Sequence, residues 1–362
     1  MGMVELLRAA RANVLRPLVI MGRRRLAGRR RVNLAPGVDC RLLGEPQWHT
    51  FFGYYDISPF EPRGERLLAC RVARAAPAAM EIGFYQDERG GGGFRPVATT
   101  RTWCWQQGCR LTWAPQFGAG QVLFNSLGQG DGESVVFDLE KGREAARFAL
   151  PLYDLSPDGV HGLSVNFARL QRLRPGYGYA ELPDPTEGEG APAADGIWLL
   201  DTAQNDARLL HSLAEVAALA PQPSMAGATH YFNHLAWNPS GSRFLFFHIW
   251  EPPGQRRRIR LLTSDAQGRL RLVTNERLVS HYGWIDEHRM LLFAEFGGRL
   301  GYFEAEDLPQ EQGAPRLCEA MPDHDGHPTW SEAAGRFLFD SLPDRLSERS
   351  LMTYRPGDAA VR

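Results

Sequence analysis

Six times along the chain an aromatic or apolar entry, a Pro or Gly turn and a run of apolar residues recur. The copies are YYDISPFEPRGERLLACRV from residue 54, RLTWAPQFGAGQVLFNS from 110, LYDLSPDGVHGLSVNF from 152, HLAWNPSGSRFLFFHIW from 234, HYGWIDEHRMLLFAEF from 281 and HPTWSEAAGRFLFDSL from 327. Most are followed by a second strand-like run ending in a polar turn, as in SVVFDLEKG from 134, GIWLLDTAQN from 196, RIRLLTSDAQG from 258 and RLGYFEAED from 299. Strand, tight turn, strand, then a strand with a polar tip is the pattern of a four-stranded antiparallel blade, and repeats of roughly 40 to 50 residues stack as blades. The sequence therefore predicts an all-β fold, a single β-propeller over residues 34–362. Six repeats give six blades, with a seventh to be found only inside the long gap or shared between the ends.

That gap, near 172–230, carries a Pro/Gly/Glu-rich stretch and a short helix-like segment, and it reads as an insertion on one face. The segment VDCRLLG at 38–44 is expected to pair with the C-terminal LMTYRP and close the ring, since closure removes exposed sheet edges.

Composition narrows the function. With 43% hydrophobic residues and a formal net charge of -1, the chain has apolar mass for a core and no basic surface suited to nucleic acid. Its five cysteines are scattered without a C-x-x-C pair, which points to reduced thiols and a cytoplasmic setting. The first 33 residues differ: nine arginines stand against one acidic residue, Glu5, and Arg16 and Pro17 interrupt the apolar run. This argues against a signal peptide and leaves an amphipathic basic arm, fitted to peripheral contact of residues 1–31 with an anionic membrane face, to an acidic partner, or to no role at all.

Propellers bind ligands where inner strands and loops converge on the channel, and five of the ten histidines stand at or just before an inner strand: His49, His230, His234, His281 and His327. One histidine per blade also serves many propellers as a purely structural hydrogen-bonding group; several together, with His324 and Asp325 beside His327, point to a site. Aromatic and amide groups cluster in HTFFGYYDISPF and WCWQQGCRLTW, where His49, Tyr54, Tyr55, Gln106, Gln107 and Arg110 are candidate saccharide contacts, joined by His230 and by Tyr177 in RLRPGYGY. Arg169 and Arg172 are candidates for pairing with an anionic group, in a chain with a single lysine, Lys141.

The segments NHLAWNP at 233–239, SHYGW at 280–284 and DHDGHPTW at 323–330 together resemble the oligogalacturonate lyases, propellers that cleave uronic-acid oligosaccharides by metal-assisted β-elimination. The resemblance covers the C-terminal part; the N-terminal half is similar only as propeller repeats. It implies that His234 is the base, that His281 and His327 bind a divalent metal with His324 as the nearest third ligand, and that the metal is Mn²⁺, although Zn²⁺ and Fe²⁺ suit the same donors. The expected partner is an oligosaccharide or polysaccharide. Two other readings stand beside it: a non-catalytic glycan-binding or scaffold propeller, and a glycosidase or transferase of cell-envelope polysaccharide metabolism. A glycosidase needs two facing carboxylates, for which Asp56, Asp154, Asp325 and Asp340 are available. No phosphate-binding glycine motif supports a transferase.

Overall fold

The apolar runs form strands because β-branched and aromatic residues fill a pleated, two-sided surface, and in the fourth repeat FLFFHIWE is buried along nearly its whole length. The computed structural model describes residues 33–361 except 63, 87–92, 276–277, 309–313 and 342–348. Six antiparallel sheets follow one another along the chain. The first holds β1 (Trp48–Phe51), β2 (Leu67–Ala73), β3 (Met80–Tyr85) and β4 (Phe94–Thr100). The second holds β5 (Thr112–Trp113), β6 (Gln121–Ser126), β7 (Glu133–Asp138) and β8 (Arg143–Phe148). The third holds β9 (Asp154–Leu155), β10 (His161–Val165), β11 (Gly196–Asp201) and β12 (Asp206–Ser212). The fourth, fifth and sixth begin with β13 (Thr229–Trp237), β17 (Val279–Trp284) and β21 (Thr329–Ser331). The protein is a six-bladed β-propeller. The last blade shows three strands among the described residues, β21, β22 (Arg336–Asp340) and β23 (Leu351–Tyr354).

Two expectations are corrected. The gap near 172–230 is not one insertion, because β11 and β12 of the third blade fall inside it. The extra chain lies instead on either side of that hairpin: residues 166–195, carrying helix α1 (Phe167–Leu173), and residues 213–228, carrying α2 (Leu213–Ala218). No seventh sheet is hidden there. Residues 38–44 form no strand, and β23 pairs with β22 alone among the described residues, so the ring is not closed by that pairing. The basic arm lies outside the described residues. No helix among them is long and apolar enough to cross a membrane.

Closure is achieved by a loop. Between β1 and β2 the first blade sends Tyr54, Tyr55 and Asp56 into the centre, where all three are buried or nearly so. Asp56 accepts from both terminal nitrogens of Arg110 at 3.1 and 3.2 Å and from the Tyr282 hydroxyl at 3.0 Å. The Tyr55 carbonyl accepts from Thr329 Oγ1 at 2.8 Å, and the Tyr55 hydroxyl accepts from the Tyr282 backbone N–H at 3.3 Å. Tyr54 stacks on His234. One short loop thus touches blades two, four, five and six. Tyr54 and Tyr55 also join a hydrophobic cluster running through blades three to five.

Candidate functional site

The inner strand of the fourth blade is irregular at the position that matters. The register between β13 and β14 (Phe244–Glu251) shifts between Asn233 and Ala236, and His234 has φ +57°. A bulge re-aims a side chain, and positive φ in a non-glycine residue is uncommon outside sites where the surroundings enforce it. Arg110 has φ +55°, so two of the four non-glycine residues with positive φ among the described ones stand in this centre.

His234 is 1% exposed. Its ring lies 5.7 Å from that of Tyr54 in stacked orientation, 6.0 Å from Tyr177, 5.9 Å from Tyr282 and 4.9 Å from Phe247. Burial, followed by the charge of Arg174, holds its imidazole well below the ordinary histidine range, so it is neutral. Its backbone N–H donates to the Tyr153 hydroxyl at 3.0 Å, which donates to Asn233 Oδ1 at 2.9 Å. His234 Nδ1, Asn233 Nδ2 and the Tyr54 hydroxyl are buried without hydrogen-bond partners among the described residues. Burial keeps the Tyr54 and Tyr153 phenols protonated. Three orphaned polar groups around one aromatic cluster are expensive unless a ligand meets them.

Beside them stand two more imidazoles, His281 at the head of β17 and His327 before β21, with ring centres 4.5 Å apart. His281 Nδ1 faces Asp325 Oδ1 at 2.7 Å, and His327 Nδ1 faces Asp340 Oδ1 at 2.8 Å. Each carboxylate accepts, so each ring donates from Nδ1–H and turns its Nε2 away from the carboxylate. Against the cost of burial, the two hydrogen bonds from His327 hold the Asp340 carboxyl below its usual range. Gly326 permits this approach, because a Cβ there would collide with the Asp340 carbonyl. The run DHDGHPTW is thus a fold-back in which Asp325 and Asp340 orient the two histidines.

The carboxylate–imidazole pairing is the outer-shell pattern of metal-ligating histidines. The donor set is incomplete for the implied manganese, however. His324 has its side chain 47% exposed and is partnered, among the described residues, only with Asp323, because the fold-back directs it to the surface. No group of three His, Cys, Asp or Glu residues able to share an ion occurs among the described residues.

Several other candidates are placed elsewhere. Arg169 is 1% exposed, yet its three nitrogens donate to the carbonyls of His230, Thr186, Glu189 and Gly190, which fastens the insertion to β13 rather than facing the histidines. Arg172 pairs with Asp184 on the outside of α1. The basic residue turned toward His234 is Arg174. Its guanidinium lies 4.1 Å over the Tyr177 ring and donates to the Tyr177 hydroxyl at 3.2 Å, with no carboxylate partner among the described residues. Pro175 explains the change of direction: α1 cannot continue into it, so Arg174 leaves the helix and turns back. Gly178 then lets the loop pack against α1, where a Cβ would strike the Phe167 carbonyl. Arg110 and Tyr55 belong to the closure beneath the site. Gln107 is buried there, 3.4 Å from Asn233 Oδ1 and from the Tyr177 carbonyl, whereas Gln106 is exposed and His49 half-buried. The four carboxylates form no free pair: Asp56, Asp325 and Asp340 are engaged as described, and Asp154, pushed up to about 7 by burial, accepts the Trp237 N–H at 2.8 Å.

His230 faces away, into a buried relay. Arg260 donates Nε–H to His248 Nδ1 at 3.0 Å, so His248 carries its proton on Nε2 and donates to His230 Nδ1 at 2.8 Å. Burial pushes His230 down to about 4 and His248 well below the ordinary value, and it lowers His211 as well. A histidine with a lowered folded pKa stabilises the fold fully above pH 6.5 and loses that contribution as pH falls toward the folded value. Asp154 acts oppositely between pH 7 and 3.8, but it is one group against His211, His230, His234 and His248. Stability is therefore expected to fall between pH 6.5 and 4, with His230 alone costing up to ~3 kcal/mol by pH 4. Thermal unfolding at a series of pH values checks this; a melting temperature unchanged from pH 7 to 4.5 contradicts it.

No protein-family model matches the chain, and no curated protein matches it. Among solved structures it is similar to an oligogalacturonate lyase from Vibrio parahaemolyticus, with a TM-score of 0.54 and 12% identity over 87% of this chain and 83% of that one. It is also similar to a prolyl endopeptidase, with a TM-score of 0.51 and 10% identity over 86% of this chain, which spans 41% of that longer one. A manganese-bound oligogalacturonate lyase aligns at a TM-score of 0.42 and 13% identity, covering 85% of this chain and 90% of that one. At these identities the likenesses show the β-propeller fold alone.

Proposed function

We propose that the mouth around His234 binds an acidic oligosaccharide and cleaves it by β-elimination next to a uronate. The observation that carries this reading is the meeting, around one aromatic cluster, of a neutral imidazole, a phenol without a hydrogen-bond partner and a guanidinium without a carboxylate partner among the described residues. Elimination needs a base for the proton α to the carboxylate, a cation for the charge that builds on that carboxylate, and a proton donor for the departing oxygen. His234 serves as base, Arg174 holds the carboxylate, and the protonated Tyr54 hydroxyl serves the leaving group. The two imidazoles of His281 and His327 do not complete a metal set among the described residues. Because His234 is 1% exposed, substrate entry requires Tyr177 and its loop to shift.

That burial also favours a second reading, in which His234 only packs the centre and the mouth binds saccharide without turnover. Arg174→Gln distinguishes charge recognition from packing. Binding of a uronate oligosaccharide is expected to weaken about 10- to 100-fold, as for loss of a charged hydrogen bond, while a neutral oligosaccharide is unaffected. Equal loss for both would refute carboxylate recognition by Arg174.

A further inference from the structure

The loop that carries Gln107 into the site also carries a tryptophan out of it. Cys104 and Gly108 form an isolated antiparallel bridge, with hydrogen bonds of 3.0 Å in both directions, which pinches residues 104–108 into a tight tip. From this tip Gln107 is 0% exposed and reaches Asn233, while Trp105 is 50% exposed. Consecutive Cα atoms are about 3.8 Å apart, so the two Cα atoms are within about 7 Å. The tip is anchored to the loop that caps His234, because the Gln106 N–H donates to the Gly176 carbonyl at 3.1 Å. Trp105 is held in place by neighbours that leave it half open: Trp103 meets it edge-on at 4.9 Å, His49 edge-on at 5.6 Å, and Phe51 tilted at 6.0 Å. Phe52, 42% exposed, and the exposed Gln106 stand in the same two segments.

A large indole kept rigid and half exposed has no role in the closure of the ring, which runs through Tyr54–Asp56 and Arg110. Large exposed aromatic surface in a fixed orientation marks a contact surface, and a saccharide ring presents the matching C–H face with hydroxyls at its edge for Gln106 and His49. We infer that Trp105 is a stacking platform for a sugar ring one or more units from the bond cleaved at His234. The protein then binds an oligomer more tightly than a mono- or disaccharide. This inference rests on the saccharide reading given above.

The test is binding of unsulfated uronate oligosaccharides of increasing length to the full chain, by calorimetry, in a His234→Asn background that removes turnover. Affinity is expected to rise with length until the platform is filled, and Trp105→Ala is expected to erase that rise, about tenfold on the longer chains, while leaving the disaccharide unchanged. Quenching of tryptophan fluorescence by long chains, absent in Trp105→Phe, is the second readout. Length-dependent binding that persists in Trp105→Ala overturns the platform and leaves the saccharide reading standing. Absence of binding at every length overturns both.

Discussion

His234→Asn is expected to lower the rate of oligosaccharide cleavage by a factor of about 10² to 10⁴, the range for removal of a positioned general base, with affinity for the substrate changed far less. Asparagine is the informative replacement because it tolerates the left-handed backbone that His234 adopts at φ +57°, so strain is not confounded with chemistry. It also keeps a polar group among Asn233, Tyr54 and Tyr153. Alanine at the same place leaves a cavity beside Phe247 and Tyr282 and is expected to destabilise as well as inactivate. Steady-state kinetics on wild type and the Asn variant, with binding measured separately, check the split. A variant with unaltered kcat would make His234 a packing residue and leave the second reading in front.

The second large effect concerns the fold. Arg110→Met removes a 3% exposed guanidinium and leaves Asp56 buried with the Tyr282 hydroxyl as its remaining partner. Breaking one side of a buried pair typically costs about 3–5 kcal/mol, far more than an exposed ion pair is worth. Here the loss should be at the upper end, since Asp56 lies in the loop that ties blade one to blades two, four, five and six, and Arg110 Nε also donates to the Tyr153 carbonyl at 2.7 Å. Adding Asp56→Asn to Arg110→Met removes the stranded charge and is expected to recover part of the loss, which denaturant unfolding of the wild type and the two variants measures. A cost below about 1 kcal/mol in the single variant would show that the ring closes by other means.

Much of the propeller is legible in the sequence because a blade is a local object. Its strands pair with sequence neighbours, so alternating apolar runs and their turns declare it, and the histidines of β13 and β17 and before β21 occupy comparable places for the same reason. Closure was not legible, because it joins Tyr55 to Thr329 across nearly the whole chain through side chains and a loop, where strand pairing of 38–44 with the C-terminus was the expected device. The arginines show the same limit at short range. Arg169, Arg172 and Arg174 are alike in composition, but helix phase buries the first among carbonyls, exposes the second to Asp184, and Pro175 turns the third toward Tyr177. The proline was the available signal. In DHDGHPTW the acidic residue mattered more than the extra histidine: Asp325 orients His281, whereas His324 stays on the surface.

The most direct measurement of the central claim is the absorbance of the unsaturated uronate formed when wild-type protein is mixed with uronate oligosaccharides, run with and without added Mn²⁺. Elimination at His234 predicts that the absorbance grows with wild type and is lost with His234→Asn. Absence of the unsaturated product with every uronate, while the same oligosaccharides bind, would contradict cleavage and establish a propeller that binds without turning over.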